Sequence, residues 1–336
     1  MYNDTKFLPM TVSLMFITTS AFSQTFNGGD VANEANWTGG LPTDPSNPGT
    51  INTDGTFETL TNLYIVQESG EINRSGISQT LSGGSYTLSG GSLNGRLSFI
   101  QDGASFIING GNQTNEQGRD LSVNGAGGSG SSFIITSGSS YIGRDLEVFN
   151  GATFTISGGS LDVRDDIGNR NFHGIAEFNF NGGSTTAQFL SFGTASTMRF
   201  GGTTAGTVTV DNFGGARHNV DNIRIDFLAG SLMALELTNP VESGNLNDGS
   251  LGWSNTRSET GLVWAEALWA DGRLTYGGQG FDTYGDWGDV NGSIFNFQGS
   301  ELSLVPETTS FALLSGLLTF SWIMFRHRTQ LQQKTH

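Results

Sequence analysis

Three groups of residues have types and spacings that invite a chemical reading. Asp162, Asp165 and Asp166 crowd together beside Arg164 and Arg170, the mix of carboxylates and basic side chains that glycan-cleaving sites use. Neighbours along a strand point to opposite faces, so only one of Asp165 and Asp166 addresses a given groove and a paired acid and base is not expected. Gly277, Gly278, Gln279, Gly280, Phe281 and Asp282 match the opening of a calcium-binding nonapeptide, with Asp286 and Asp289 as further oxygen donors nearby. The match is a single copy, whereas such sites draw ligands from successive turns, and Trp287 and Gln298 stand where an EF-hand places its first and last carboxylates. The phrase Gly-Arg-Asp-Leu occurs at 118–121 and 143–146, with a looser copy at 164–167. If the copies stack, Arg119, Arg144 and Arg164 form a ladder interleaved with Asp120, Asp145 and Asp165, first of all a device that fixes register.

Other chemistry is excluded more firmly. The chain has no Cys, which removes disulfides, thiol catalysis and thiolate metal sites. His173 and His218 have no nucleophile motif beside them, and no phosphate-cradling loop or zinc-ligand spacing occurs. No catalytic residue and no cofactor is therefore assigned. Calcium at Asp282, Asp286 and Asp289 is the one metal to consider.

What positions these residues is a repeat. An aromatic or apolar residue, any residue, an apolar residue, a small polar residue and a glycine pair recur at 86–91 (YTLSGG), 106–111 (FIINGG), 133–138 (FIITSG), 154–159 (FTISGG), 178–183 (FNFNGG) and, shortened, 198–202 (MRFGG). Their first residues lie 20, 27, 21, 24 and 20 positions apart, the size of one solenoid coil. Alternation as in Leu97, Ser98, Phe99 and Leu146, Glu147, Val148 predicts strands with one buried face, and the glycines predict sharp corners at positive φ. Helix signals are nearly absent; Trp264 and Leu268, four apart and followed by Gly272, mark one short helix. The expected fold is all-β, a parallel β-solenoid of about six coils over 72–228, with an N-terminal lead-in and cap at 24–71 and a small β-rich cap at 229–304. A Trp37-containing loop in the lead-in is expected to cover the open end of the core.

Composition agrees. The 50 glycines have no three-residue period, which excludes collagen, and 24 Phe are too many for a solvated coil. A formal net charge of -16 repels phosphate backbones, so nucleic acid is not an expected partner.

The two ends read as addresses. Residues 1–23 carry Lys6, an apolar stretch from Phe7 to Ala21 and a small-x-small site at Ala21, Phe22, Ser23 ahead of Gln24, the layout of a signal peptide cleaved by signal peptidase. At the other end Val305, Pro306, Glu307 and Thr308 precede an uncharged run over 311–325, followed by Arg326, His327 and Arg328. Fifteen residues fall short of a usual span, but tilt or thinning absorbs the difference, and the basic cluster would stay cytoplasmic.

That order resembles the PEP-CTERM sorting signal, in which a Val-Pro-Glu-Pro motif, a hydrophobic helix and an Arg-rich end are read by an exosortase-type membrane protease. Val305, Pro306 and Glu307 fit; Thr308 replaces the second Pro. The Trp37 loop is similar to the start of many such proteins with autotransporter-like passengers. The resemblance implies that 305–336 is a sorting signal with a single transmembrane helix. It also implies an exported protein, membrane-anchored until processed and then displayed at the cell surface or released, with a structural or adhesive role in an extracellular polysaccharide matrix and no enzymatic activity. A glycan-active β-helix enzyme (lyase or hydrolase) and a calcium-stabilised adhesin are the alternatives. An exposed cleft with converging carboxylates and a basic residue would favour the enzyme; a Ser/Thr/Asn surface would favour the structural role.

Overall fold

The computed structural model describes residues 24–74, 78–125, 130–169, 174–192, 196–213, 223–238 and 264–306. The signal-peptide residues Ala21 and Ser23, the sorting residues Glu307, Arg326 and Arg328, and His173, His218 and Arg170 lie outside them.

Alternating apolar residues make each repeat a strand that buries every second side chain. In Ser132–Ile142, Phe133 and Ile135 are buried while Ser132 and Ile134 between and beside them are not. The strands stack in parallel, one per coil, and the register brings Ile65, Tyr86, Phe106, Phe133, Phe154, Phe178, Met198 and Ile225 into a single interior column. All eight are buried. Phe106 and Phe133 sit with ring centroids 5.5 Å apart, and Phe133 and Phe154 5.6 Å apart. A second interior column runs Leu88, Ile108, Ile135, Ile156, Phe180, Phe200, Phe227.

The solenoid has about eight turns, not the six that the repeats suggested. Parallel stacking reaches back through Thr59–Gln67 to Gly49–Ile51, inside the expected lead-in, and forward through Ile223–Phe227 to Leu274–Tyr276. At roughly 4.8 Å per coil, eight turns make a rod about 38 Å long. Corners need glycine where coils touch: Gly138 has φ +81°, and a Cβ there would lie 2.3 Å from the Gly111 carbonyl oxygen of the coil beneath.

Both ends switch to antiparallel pairing, which closes the exposed strand edges. Thr25–Phe26 pairs with Trp37–Thr38 at one end, and Glu301–Leu304 pairs with both Met233–Leu237 and Phe295–Gln298 at the other. Trp37 is buried against Phe26 and donates its indole N–H to the Val31 carbonyl at 2.8 Å, closing the core as the sequence indicated. The short helix Trp264–Ala270 buries Trp264, Leu268 and Trp269, with Trp264 against Phe213 and Phe297 and Trp269 against Phe295. Among the described residues no helix is long and apolar enough to cross a membrane, and the run 311–325 lies outside them.

Candidate functional site

Two adjoining outer surfaces in the middle of the rod bring chemistry-bearing side chains together. The first is a polar face. One outward column reads Ser92, Asn112, Ser139, Ser160, Ser184, Thr207 and the next Asn94, Thr114, Tyr141, Asp162, Thr186, Thr209. Cross-coil bonds tie the columns, Ser139 Oγ donating to Asn112 Oδ1 at 2.7 Å and Thr186 Oγ1 to Asp162 Oδ1 at 2.8 Å. A shallow groove of about 380 Å³ crosses this face, lined by Tyr141, Asp162, Arg164, Thr186, Gln188 and Asp211 with Val163 and Ala187 as its floor. An aromatic ring flanked by acceptors and donors is the composition that holds a sugar ring, with its apolar face on the tyrosine and its hydroxyls on the rim.

The second surface lies round the corner made by Arg164 and Asp165. Leu121, Leu146 and Ile167 are aligned in successive coils, which places Asp120, Asp145 and Asp166 in one outward column. The neighbouring column reads Phe99, Ser122, Glu147, Gly168, Ser191. Carboxylate oxygens of Asp120, Asp145 and Glu147 lie within 4.8 Å of one another, and Glu147 is only 6% exposed. Ser122 Oγ donates to Glu147 Oε2 at 3.0 Å. Arg144 holds Asp120 through both its Nε and Nη2 and lies 3.4 Å from Asp145.

Crowding shifts the acids. Burial pushes Asp166 up to about 7, and the neighbouring Asp145 carboxylate pushes in the same direction. Asp145 is also raised, first by burial and then by Asp120. The hydrogen bond that Arg144 donates to Asp120 holds the guanidinium further towards its charged form. A carboxyl whose proton is held up towards neutrality, set among further carboxyl groups, is an arrangement able to exchange a proton or to hold a hard cation.

The expected ladder is thus corrected at its third rung. Arg119 and Arg144 are in register, but the next coil places Asp165, not Arg164, in that column and Asp166 beside Asp145. Arg164 lies instead on the rim of the groove. The strand argument that separated Asp165 from Asp166 holds within one strand; pairing between coils is what gathers the acids. Glu147 was visible only as the polar member of an alternating triplet, and its depth comes from Ser122 and Gly168 on either side of it.

The nonapeptide-like stretch is built differently. Gly277 and Gly278 both have positive φ, and the Gly278 N–H and the Thr275 hydroxyl are bonded to the Asp226 carboxylate at 2.8 and 2.9 Å. Asp286 and Asp289 form a capping box around the short helix Trp287–Val290, with Asp289 Oδ2 accepting the Asp286 N–H at 3.2 Å. Asp282 is exposed on the single turn Phe281–Tyr284. Among the described residues the converging acids are those of 120, 145 and 147, not these three. Gln24 bonds the Leu41 carbonyl through Nε2 at 3.2 Å, and the Val305 N–H bonds the Ile294 carbonyl at 2.8 Å, so both residues belong to the folded body, with Pro306 following directly. No family model matches the chain, and neither the curated proteins nor the solved structures contain a match to it.

Proposed function

We propose that the protein is an exported, cell-surface-sorted structural or adhesive component of an extracellular polysaccharide matrix, processed at its C-terminus through the sorting signal at 305–336. The observation that carries this reading is the long Ser/Thr/Asn face with the Tyr141 groove on a rod whose two ends are closed. Closed ends disfavour growth by strand addition and leave the lateral faces as the contact surfaces. Signal peptidase and an exosortase-type protease are the processing partners, and the membrane is contacted through the C-terminal helix before cleavage. Affinity electrophoresis in gels containing the host's polysaccharide tests the contact: retardation of the intact protein and its loss in Tyr141→Ala are expected, and equal mobility with and without polysaccharide counts against it. Mass spectrometry of the terminal peptides tests the sorting. Cleavage that persists unchanged when Arg326 and Arg328 are replaced by Gln would remove that part of the reading.

A second reading, a glycan-active enzyme, is favoured by the carboxylates gathered around Arg144. It predicts release of reducing or unsaturated sugar ends from that same polysaccharide, abolished by Asp166→Asn. No release from any matrix fraction leaves the structural reading alone.

A further inference from the structure

Resting on the matrix contact proposed above, the geometry points to an uncharged glycan chain, lying along the rod axis, as the ligand of the Tyr141 groove. Register sets the direction. Tyr141, Asp162 and Thr186 follow one another in successive coils and form one wall. Arg164 and Gln188 come two residues after Asp162 and Thr186, so they return to the outer side and form the other wall, which Asp211 continues opposite Gln188. Val163 and Ala187 are the floor between the walls. From the coil of Tyr141 to that of Asp211 is three coil spacings, so at roughly 4.8 Å each the groove runs about 14 Å, longer than a single sugar ring.

Charge selects the ligand. Asp162 and Asp211 are exposed. Asp162 accepts the Thr186 hydroxyl at 2.8 Å and Asp211 the Thr238 hydroxyl at 2.6 Å, bonds from neighbouring coils that orient each carboxylate and leave it further acceptor sites. Neither forms an ion pair with Arg164 or with another cation among the described residues. Carboxylates in this state accept sugar hydroxyls through the stronger, charge-assisted kind of hydrogen bond. A uronate or a sulfated sugar would meet two acids and one guanidinium, on a chain whose formal net charge is -16, and is repelled. Arg164, on the wall across from Asp162, opposes a cationic amino sugar in its turn. Hydroxyls over an aromatic ring and an apolar floor remain, and those are the groups an uncharged chain presents.

The test separates the host's polysaccharide by anion exchange into uncharged and acidic fractions, immobilises each, and measures binding of the intact protein in about 0.05 M and about 0.5 M salt. Binding to the uncharged fraction is expected, with a Kd that moves less than about twofold between the two salts because no ion pair is involved. Tyr141→Ala should weaken it about tenfold. Asp162→Asn and Asp211→Asn, near-isosteric changes at exposed positions that leave the fold standing, should each weaken it about threefold or more. Binding confined to the acidic fraction, a Kd that rises about tenfold with salt, or parent affinity in both Asn variants overturns the uncharged chain and leaves the matrix reading in place. Binding to neither fraction removes both.

Discussion

The column of phenylalanines inside the rod and the column of aspartates outside it obey the same rule and have opposite energetics. In both, one residue per coil recurs at the spacing of stacked strands. Phe106, Phe133 and Phe154 gain from that repetition, because each ring is covered by the next and all three are fully buried. Asp120, Asp145 and Asp166 lose from it, because like charges are brought together in partial shelter from water. A solenoid therefore multiplies whatever side chain it repeats, and repeated acids need a proton, an arginine or a cation to be tolerated.

The sharpest way to break the comparison is from the inside. Phe133→Ala removes a ring stacked on Phe106 and packed at a tilt against Phe154, and a large-to-small change at a buried aromatic costs about 3–5 kcal/mol. The urea midpoint should fall accordingly. A loss below about 1 kcal/mol, within the range of ordinary surface substitutions, would mean that the column does not hold the coils together.

The outer column should respond with the reverse sign. Burial pushes the Asp166 carboxyl up to about 7, above its ordinary value of 3.8, so the stability it contributes is fully present below the unfolded value and is lost as pH rises through 7. Asp145 acts in the same direction. Without added cation, Asp166→Asn should therefore stabilise the fold at pH 8, by on the order of 1–2 kcal/mol once solvent screening is allowed for. At pH 4, where the native carboxyl already holds its proton, the gain should nearly vanish. Paired urea titrations at the two pH values decide it, and a destabilising Asn at pH 8 would show that the ionised carboxylate is held by something stronger than its neighbours repel.

The same contrast explains what could be read from the sequence. The middle coils were legible because YTLSGG, FIINGG, FIITSG and FTISGG repeat both the buried aromatic and the glycine corner. The outer coils were not, because Ile65 and Ile225 fill the same column without an aromatic or a glycine pair, and Ile225 stacks on Leu274, 49 residues further along. The Trp37 closure was legible because a bulky aromatic beside the first strands has few other roles, whereas Trp264 was legible only as part of a short helix. The acid site was not, since its register turns on a shift of one residue: the third copy of the motif aligns by Ile167 and not by Arg164. A one-residue offset changes which side chains share a column, and local alternation alone does not reveal it.

Arg144 is where the two columns' logic meets, and it carries the smallest expected effect. Its guanidinium bridges Asp120 and Asp145, relieving part of the repulsion, but the side chain is 44% exposed. Exposed ion pairs contribute between about 0 and 1 kcal/mol, and salt screens them over about 3 Å at 1 M. Arg144→Gln should therefore lower stability by under about 1 kcal/mol at pH 8 in low salt, less in 1 M salt, and less again as pH falls through the raised titration of Asp145. A loss as large as that of Phe133→Ala would invert the order, placing the outer charges and not the inner rings at the centre of the fold's stability. The salt and pH dependence separates the two cases, because loss of ring packing responds to neither.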